Sequence, residues 1–513
     1  MHRASSRDGG AVVDHPAVRI AGTALVFCAI VVFVYQFSNA LIDDAFIQLK
    51  YAENVAHHGM WGFFADRVTN TATSPLNVIL TALVALIAPS MISAVVWLTA
   101  VEFLLVFACV WQTGLTLFKT PYFGIVAFVG LVANPLLLST IGLEGTLFAL
   151  GIAASVWFFV SCRWLLTATS LALLTLTRAD GTLLFLLFLL VVPGIRTRAR
   201  FVLVYALVLA PWHMYSWIHL GSFIPDTMKI KMFQRAWSAW MTFPHGPALY
   251  FQVFPLASAF SIVLLPFGLL CLASKDRRVQ TVAAVLAAYA ALHFAAYSTI
   301  QVPPYHWYYV SQVVPSVLVG ALGLSVLFER LPSARAVRIA VMASALLPAA
   351  GLTAIAYRDG FRVDEMPIHT NWASHETYKQ LGLWIKEHTE PSATIFCAAE
   401  IGTLAFYSER LLINEFSDFN RVSEAVVSGA YYDKPVIGPL MRVNYYWRQL
   451  QTPFAFPRYR LDAAIGEARG GPIPPETVKT WEVSSKWIEW RTPGKNVQYR
   501  LRTSSGQTWD GTR

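Results

Sequence analysis

Long apolar runs separated by short polar loops occupy the first two thirds of the chain. A helix needs about 17–25 mainly apolar residues to cross a bilayer. The pattern predicts eleven membrane-spanning helices, near residues 18–39, 93–118, 121–140, 145–162, 164–178, 182–195, 201–220, 248–273, 279–299, 308–328 and 336–356. Residues 75–89 are also apolar but short, and we interpret them as an interfacial or re-entrant segment. The fifth and sixth runs could also form one long run, 164–194.

The pattern changes after about residue 357, where charged residues become frequent. Short apolar stretches at 394–398 and 411–413 predict strands, and helical spacing over 378–388 predicts an amphipathic helix. A tail of this size can hold a modest core. The predicted organisation is an N-terminal tail, a membrane domain and a small exterior α/β domain, over residues 1–17, 18–357 and 358–513.

Composition supports a polytopic α-helical membrane protein. Hydrophobic residues make up 56% of the chain and charged residues 13%, against about 45–50% and 25% in ordinary soluble proteins. These values exclude a soluble globular enzyme, a disordered chain and a fibrous one. Four of the five cysteines fall in apolar runs, and their spacing matches neither a disulfide framework nor a zinc site.

The net charge of +9 has two readings, a nucleic-acid partner or basic cytoplasmic loops. If the N-terminus is cytoplasmic, the inner loops hold fourteen basic and four acidic residues, and the outer loops hold six and seven. This asymmetry favours eleven spans in the cytoplasmic membrane. It places the tail 358–513 outside the cytoplasm and gives no reason to expect a nucleic-acid partner.

The outer loops collect the candidate chemistry. Asp43 and Asp44 stand where the first span ends, and charges at a bilayer edge suggest function. The structural alternative is that one of them caps the next helix. The other candidate substrate-binding residues are Glu144, Arg178, Asp180, Lys229, Lys231, Tyr305 and His306.

Each of these residues also has a structural alternative. Glu144 could be an acid at the end of a helix, Arg178 and Asp180 an internal ion pair, and the two lysines contacts to lipid headgroups. The aromatic residues around His306 also fit an interfacial belt. As a set, however, these residues suit one kind of reaction. Their carboxylates can deprotonate a hydroxyl, and their cations can stabilise a departing phosphate. The set predicts transfer of a group from a lipid phosphate to an acceptor hydroxyl, with a transporter or a non-catalytic scaffold as rivals.

A series of motifs over residues 1–320 adds a family resemblance. The motifs are DDAFI, YAEN, TSPL, GLEG, TRADG, GSFIPDT and WYY, beginning at Asp43, Tyr51, Thr73, Gly142, Thr177, Gly221 and Trp307. In this order they resemble the GT-C type glycosyltransferases that use polyprenyl-phosphate sugars, in particular mycobacterial arabinofuranosyltransferases. The segment Ala398–Ser408 is similar to the C-terminal domain of that group.

The resemblance implies an inverting transfer of a sugar to a cell-envelope glycan or lipid. It makes a carboxylate of the first outer loop the base; we favour Asp44, with Asp43 orienting a substrate, although the order could be reversed. Glu144 would lie near the sugar, and Arg178, Lys229, Lys231 and His306 near the donor phosphate. No cofactor is required, and a divalent cation at the two aspartates is the alternative. Arabinofuranose, mannose and aminoarabinose remain alternatives for the sugar.

Overall fold

The computed structural model places most of the chain. The residues it describes are 16–234, 237–331, 363–398, 400–414, 426, 428–429, 432–433, 435, 437–450, 459–504 and 508–509. The predicted span 336–356, the predicted boundary near residue 357 and nearly all of the N-terminal tail lie outside them. The number of eleven spans therefore stays a prediction.

Helices follow the predicted apolar runs throughout the membrane part. They are α1 (Pro16–Tyr35), α2 (Asp43–His58), α3 (Pro75–Ala85), α4 (Met91–Phe118), α5 (Tyr122–Val132), α6 (Pro135–Leu138), α7 (Gly145–Val160), α8 (Trp164–Thr177), α9 (Gly181–Val191), α10 (Ile195–His219), α11 (Thr227–Gln234), α12 (Gly246–Val253), α13 (Pro255–Ile262), α14 (Arg277–Ile300) and α15 (Val310–Arg330). Short 3₁₀ segments cover Phe243–His245, Leu265–Ala273 and His306–Tyr309.

Five helical stretches among the described residues are long and apolar enough to cross a bilayer. They are Met91–Phe118, Ile195–His219, Pro255–Ala273, Arg277–Ile300 and His306–Arg330. Shorter apolar helices, among them α3, α5, α7, α8 and α9, accompany them. The chain therefore has the helices of a membrane protein.

Prolines divide two of the predicted runs. Proline has no backbone N–H and clashes with the preceding turn, so it is tolerated best in the first turn of a helix. In the run 121–140, α6 begins at Pro135 and the Asn134 side chain caps it. In the run 248–273, α13 begins at Pro255, and Pro266 stands near the start of a 3₁₀ segment. The runs 164–178 and 182–195 are likewise separate helices, α8 and α9.

The membrane helices pack in a connected bundle. Helix α7 lies between α4 and α8, and α8 packs on α10. Helix α15 packs on the segment Leu265–Ala273. Gly320 and Gly323 permit this approach, because a side chain there would collide with the backbone of Leu264 and Phe267.

The part after residue 363 contains a mixed sheet with helices. Its elements are α16 (His375–His388), β1 (Thr394–Cys397), α17 (Gly402–Ser408), β2 (Leu411–Ile413), α18 (Ile437–Asn444), α19 (Tyr446–Leu450), β3 (Tyr459–Arg460), β4 (Ala463–Ala468), β5 (Thr477–Val483), α20 (Lys486–Arg491), β6 (Val497–Thr503) and β7 (Thr508–Trp509). The sheet order is β2-β1-β4-β6-β5. Strand β1 is parallel to β2 and β4, whereas β6 is antiparallel to β4 and β5. Strands β1 and β2 and helix α16 stand where the sequence predicted them.

This C-terminal part docks directly on the predicted first outer loop through contacts between α17 and α2. The Phe46 ring of α2 lies 5.2 Å from the Phe406 ring and 5.1 Å from the His375 ring. The contact places the polar start of α2 against the C-terminal part, so this part helps to enclose the candidate site.

Candidate active site

A cavity of about 740 Å³ lies between the predicted outer loops of the membrane part and the C-terminal part. Its lining includes seven of the nine residues that the sequence selected: Asp43, Asp44, Glu144, Arg178, Asp180, Lys231 and Tyr305. Lys229 and His306 do not line it. Loops that are far apart in the sequence thus converge on one space.

Asp44 faces this cavity from the first turn of α2. The N-cap position belongs to Ile42, which makes no side-chain cap, so neither aspartate caps its own helix. Burial raises the pKa of Asp44; Lys231 opposes this, and Glu400 and Glu144 add to it. A carboxylate with a raised pKa and a nearby cation is suited to accept a proton.

Asp43 differs from Asp44 in its contacts, because its side chain caps a helix of the C-terminal part. Its two carboxylate oxygens accept the backbone N–H groups of Gly402 at 2.9 Å and Thr403 at 2.7 Å. Its own N–H donates to Asn371 Oδ1 at 3.2 Å. Burial, with Glu400 and Asp44, raises the pKa of Asp43 to about 7. Asp43 therefore fixes the start of α17 against α2.

The closeness of this contact predicts the effect of a methyl group at Gly402. A Cβ there would collide with the Asp43 carbonyl oxygen, and overpacking costs about 1–3 kcal/mol. We expect Gly402→Ala to lower both the thermal midpoint and the activity. Gly466→Ala on β4 is the matched control, since a Cβ there meets open space. Equal midpoints and activities for the two variants would contradict the role given to the contact.

A buried ion network forms another wall of the cavity. Arg178 Nη1 lies 3.1 Å from Glu144 Oε1, and Arg178 Nε lies 3.1 Å from Asp180 Oδ1. Gln48 Nε2 donates to Glu144 Oε2 at 2.7 Å, and Asn77 orients Gln48 through a 2.9 Å hydrogen bond. The guanidinium charge is therefore already balanced by two carboxylates.

Asp180 extends the network away from the cavity. Its Oδ2 accepts a hydrogen bond from Ser311 Oγ at 2.7 Å and lies 2.9 Å from His293 Nε2. Burial opposes ionisation, but Arg178 and His293 outweigh it and hold the pKa of Asp180 well below its usual range. Asp180 thus stays ionised and holds Arg178 in place.

Lys231 lines the cavity beside an aromatic loop. Its Nζ is 4.1 Å from the Tyr305 ring centroid and donates to Gln234 Oε1 at 3.1 Å. Gln234 Nε2 in turn donates to the Tyr305 hydroxyl at 2.7 Å. The ammonium group lacks a carboxylate at salt-bridge distance among the described residues, so its charge remains available to an anion.

The other two predicted residues are buried behind the cavity wall. His306 Nε2 lies 3.1 Å from the Ser139 carbonyl oxygen, and its Nδ1 lies 3.3 Å from Thr370 Oγ1. Lys229 is fully buried, and burial lowers its pKa to about 8. Asp226, in the motif GSFIPDT, pairs with Arg448 at 2.9 Å.

Residues of the C-terminal part that the sequence did not select complete the cavity. Glu400 accepts hydrogen bonds from the Trp372 backbone at 3.0 Å, the Tyr499 hydroxyl at 3.1 Å and the Tyr378 hydroxyl. Trp372, Arg491 and Tyr499 line the cavity with it. Glu400 falls in the segment Ala398–Ser408 that the resemblance covered, and only the folded chain shows that it acts on both aspartates.

The aspartate pair does not fit the alternative of a divalent cation. Both Asp43 oxygens already accept backbone N–H groups, which leaves Asp44 as the available carboxylate of the pair. Within the described residues, no group of three or more His, Cys, Asp or Glu is arranged to hold a metal ion. That no cofactor is required stays a prediction.

No protein-family model and no curated protein sequence matches the chain. Solved structures do match it. ArnT from Cupriavidus metallidurans bound to undecaprenyl phosphate shares 14% identity with a TM-score of 0.55, over 94% of this chain and 99% of that one. The Archaeoglobus fulgidus oligosaccharyltransferase shares 12% identity with a TM-score of 0.49, over 87% and 69%. The arabinofuranosyltransferase AftD from Mycobacteria shares 13% identity with a TM-score of 0.48, over 95% and 40%.

At these identities the likeness defines the fold. The match to ArnT, which has the highest TM-score of the three, covers both the membrane part and the C-terminal part. The chain has the GT-C-like fold that the motif series led us to expect.

Proposed function

We propose that this protein is a membrane glycosyltransferase that moves a sugar from a polyprenyl phosphate to an acceptor hydroxyl outside the cytoplasm. One observation carries the proposal: Asp44 and Lys231 face one cavity in a GT-C-like fold, and the Lys231 charge acts on the Asp44 carboxylate. A base and a cation that can act across one space are what this displacement needs.

In the proposed step, the ionised Asp44 accepts the proton of the acceptor hydroxyl. The acceptor oxygen forms a bond to the anomeric carbon as the bond from that carbon to the phosphate oxygen breaks. The phosphate leaves with the electron pair on the opposite side, so the configuration inverts. Lys231 stabilises the charge that grows on the departing phosphate.

Arg178 has a supporting role in this proposal. Two carboxylates balance its charge, so it offers less to a phosphate than Lys231 does. It holds Glu144 at the cavity wall, where Gln48 also orients that carboxylate. In this proposal Glu144 accepts hydrogen bonds from hydroxyl groups of the transferred sugar.

The lipid part of the donor has apolar surface available in the same cavity. Leu183, Met228, Ile230 and Ile300 belong to its lining. The related fold of ArnT was solved with undecaprenyl phosphate bound, which supports a polyprenyl-phosphate partner. The motif resemblance favours arabinofuranose as the sugar, with mannose and aminoarabinose as the alternatives.

The proposal is tested in proteoliposomes that contain the purified protein and radiolabelled polyprenyl-phosphate sugars. Arabinofuranosyl, mannosyl and aminoarabinosyl donors are offered with a membrane extract as the acceptor source. We expect consumption of one donor, release of polyprenyl phosphate and appearance of the label in a glycan or glycolipid. Movement of the intact donor between leaflets, with no loss of sugar from any donor, would instead identify a transporter.

Lys231→Met is expected to raise the donor KM about tenfold or more, because a hydrogen bond to a charged group is worth about 1.5–3 kcal/mol. Because Lys231 lowers the pKa of Asp44, its loss also moves the acidic limb of the pH–activity profile to higher pH. Lys50→Met is the matched control: Lys50 pairs with Glu53 on α2 and does not line the cavity. An unchanged profile and KM in Lys231→Met would reject Lys231 as the phosphate contact.

A further inference from the structure

An amphipathic helical segment, α18–α19, stands out in the C-terminal part. Its outer face carries Leu440, Val443 and Trp447, which are 55%, 57% and 37% exposed. These residues are three and four positions apart, so they share one face of a helix. Tyr446 beside them is also exposed. Water-exposed apolar groups concentrated on one face indicate a missing partner.

The opposite face of the segment is held on the membrane part. Met441 and Tyr445 are buried and form a hydrophobic cluster with Ile230 of α11. Trp217 Nε1, near the end of α10, donates to the Val443 carbonyl oxygen at 2.8 Å. The Ile224 N–H donates to Asn444 Oδ1 at 2.6 Å.

An ion pair adds to this attachment. Arg448 Nη2 lies 2.9 Å from Asp226 Oδ2, and Asp226 is fully buried in the loop before α11. Arg448 also donates to the Leu220 carbonyl oxygen at 3.3 Å. The segment is therefore fixed at the outer end of α10, and its position relative to the bilayer follows from that helix.

Helix α10 is long and apolar enough to span a bilayer, and most of it is exposed. Near its outer end, Met214 and Ile218 are 51% and 42% exposed. The Trp217 ring lies 6.4 Å from Tyr446 and 5.9 Å from Trp447. The exposed face of α18–α19 is thus continuous with the surface of a spanning helix.

We propose that α18–α19 lie in the outer leaflet at the headgroup level, with Leu440, Val443 and Trp447 in contact with lipid. Tyrosine and tryptophan are enriched at this depth, and an amphipathic helix binds there through its apolar face. Exposed Arg442 is placed beside this face to contact lipid phosphates. The C-terminal part is then partly a peripheral membrane element, whereas the sequence predicted only an exterior α/β domain.

The contact has a consequence for the candidate site. The buried face of the segment supports α11, and α11 carries Lys231. The depth at which α18–α19 lie in the bilayer would therefore determine the distance of Lys231 from the lipid headgroups. The lipid contact does not depend on the reaction, so the proposed membrane position of α18–α19 can be confirmed or rejected separately from the proposed sugar transfer.

The experiment places an environment-sensitive fluorophore on single cysteines at position 440 or 443 of the full chain in lipid nanodiscs. The exposed native cysteines are removed by Cys28→Ser and Cys162→Ser. Matched control positions are 473 and 478, where Ile473 and Val478 are 60% and 51% exposed in the C-terminal part. Each labelled protein is quenched by lipids brominated on the acyl chain and, separately, by aqueous iodide.

At positions 440 and 443 we expect quenching by brominated lipid about threefold stronger than at the control positions, and weaker quenching by iodide. Iodide quenching at 440 and 443 equal to the controls, without lipid quenching, would overturn the proposal. A photoactivatable phospholipid tests the unmodified chain as well. Labelling of residues 437–448 above residues 471–483 supports the lipid contact, and equal or absent labelling of the first segment contradicts it.

Discussion

Asp44→Asn is expected to lower kcat for sugar transfer by about 10²–10⁴-fold, the usual contribution of a general base. The amide keeps the shape of the side chain but cannot accept the acceptor proton. The raised pKa of Asp44 also predicts that the wild-type enzyme loses activity, as pH falls, at a pH above the ordinary aspartate range. The measurement is donor consumption over a pH series in proteoliposomes.

Loss of folding cannot account for this result. A carboxyl whose pKa is raised on folding adds stability below its unfolded pKa and loses that contribution as pH rises through the folded value. At neutral pH a neutral asparagine at position 44 is therefore expected to leave the thermal midpoint unchanged or higher. Asp66→Asn is the control, because Asp66 is exposed, pairs with Arg67 and does not line the cavity. Wild-type kcat in Asp44→Asn would remove Asp44 from the mechanism.

Arg178→Met is expected to cause the largest loss of stability among these substitutions. The side chains of Arg178, Glu144 and Asp180 are each less than a tenth exposed. Removing one partner of a buried ion pair costs about 3–5 kcal/mol, because it leaves a buried charge uncompensated. Here two carboxylates lose their cation together. The thermal midpoint in detergent, followed by scanning fluorimetry, measures the effect.

Arg278→Met provides the comparison for a surface ion pair. Arg278 lies 2.7 Å from Asp276 with its side chain 44% exposed, and such pairs contribute about 0–1 kcal/mol. Adding Glu144→Gln and Asp180→Asn to Arg178→Met is expected to recover part of the lost stability, since the uncompensated charges are then removed. Equal midpoints for the two arginine variants, or no recovery in the triple variant, would show that the network is not held by charge.

Hydrophobic spacing was sufficient to predict most of the helices. The apolar runs at 145–162 and 279–299 correspond to α7 and α14 almost residue for residue. The run 248–273 was harder, because its hydrophobicity predicts one helix whereas Pro255 and Pro266 divide it. Apolar content reports burial in lipid or protein, and it carries little information on where a helix is interrupted.

The candidate site was only partly predictable. Asp44 could be selected because charged residues at the end of a span are costly, and Lys231 because it is a cation in a predicted outer loop. The function of Asp43 depends on Gly402, 359 residues away, and no local pattern contains that contact. Glu400 was missed for the same reason. His306 is the opposite case, a residue that was selected but does not line the cavity. A titratable residue among aromatic residues can face a cavity or be buried behind its wall, and the sequence does not distinguish the two.

The direct succession of Asp43 and Asp44 limits how this protein can be recombined with its relatives. One residue holds the C-terminal part through α17 and the next presents the carboxylate to the cavity. In a hybrid whose C-terminal part comes from another chain, the segment that donates hydrogen bonds to Asp43 would differ. The backbone of α2 would then shift unless the first outer loop came from the same chain as that segment. The first outer loop and the segment around Gly402 therefore have to be inherited or exchanged as a unit, although most of the chain lies between them.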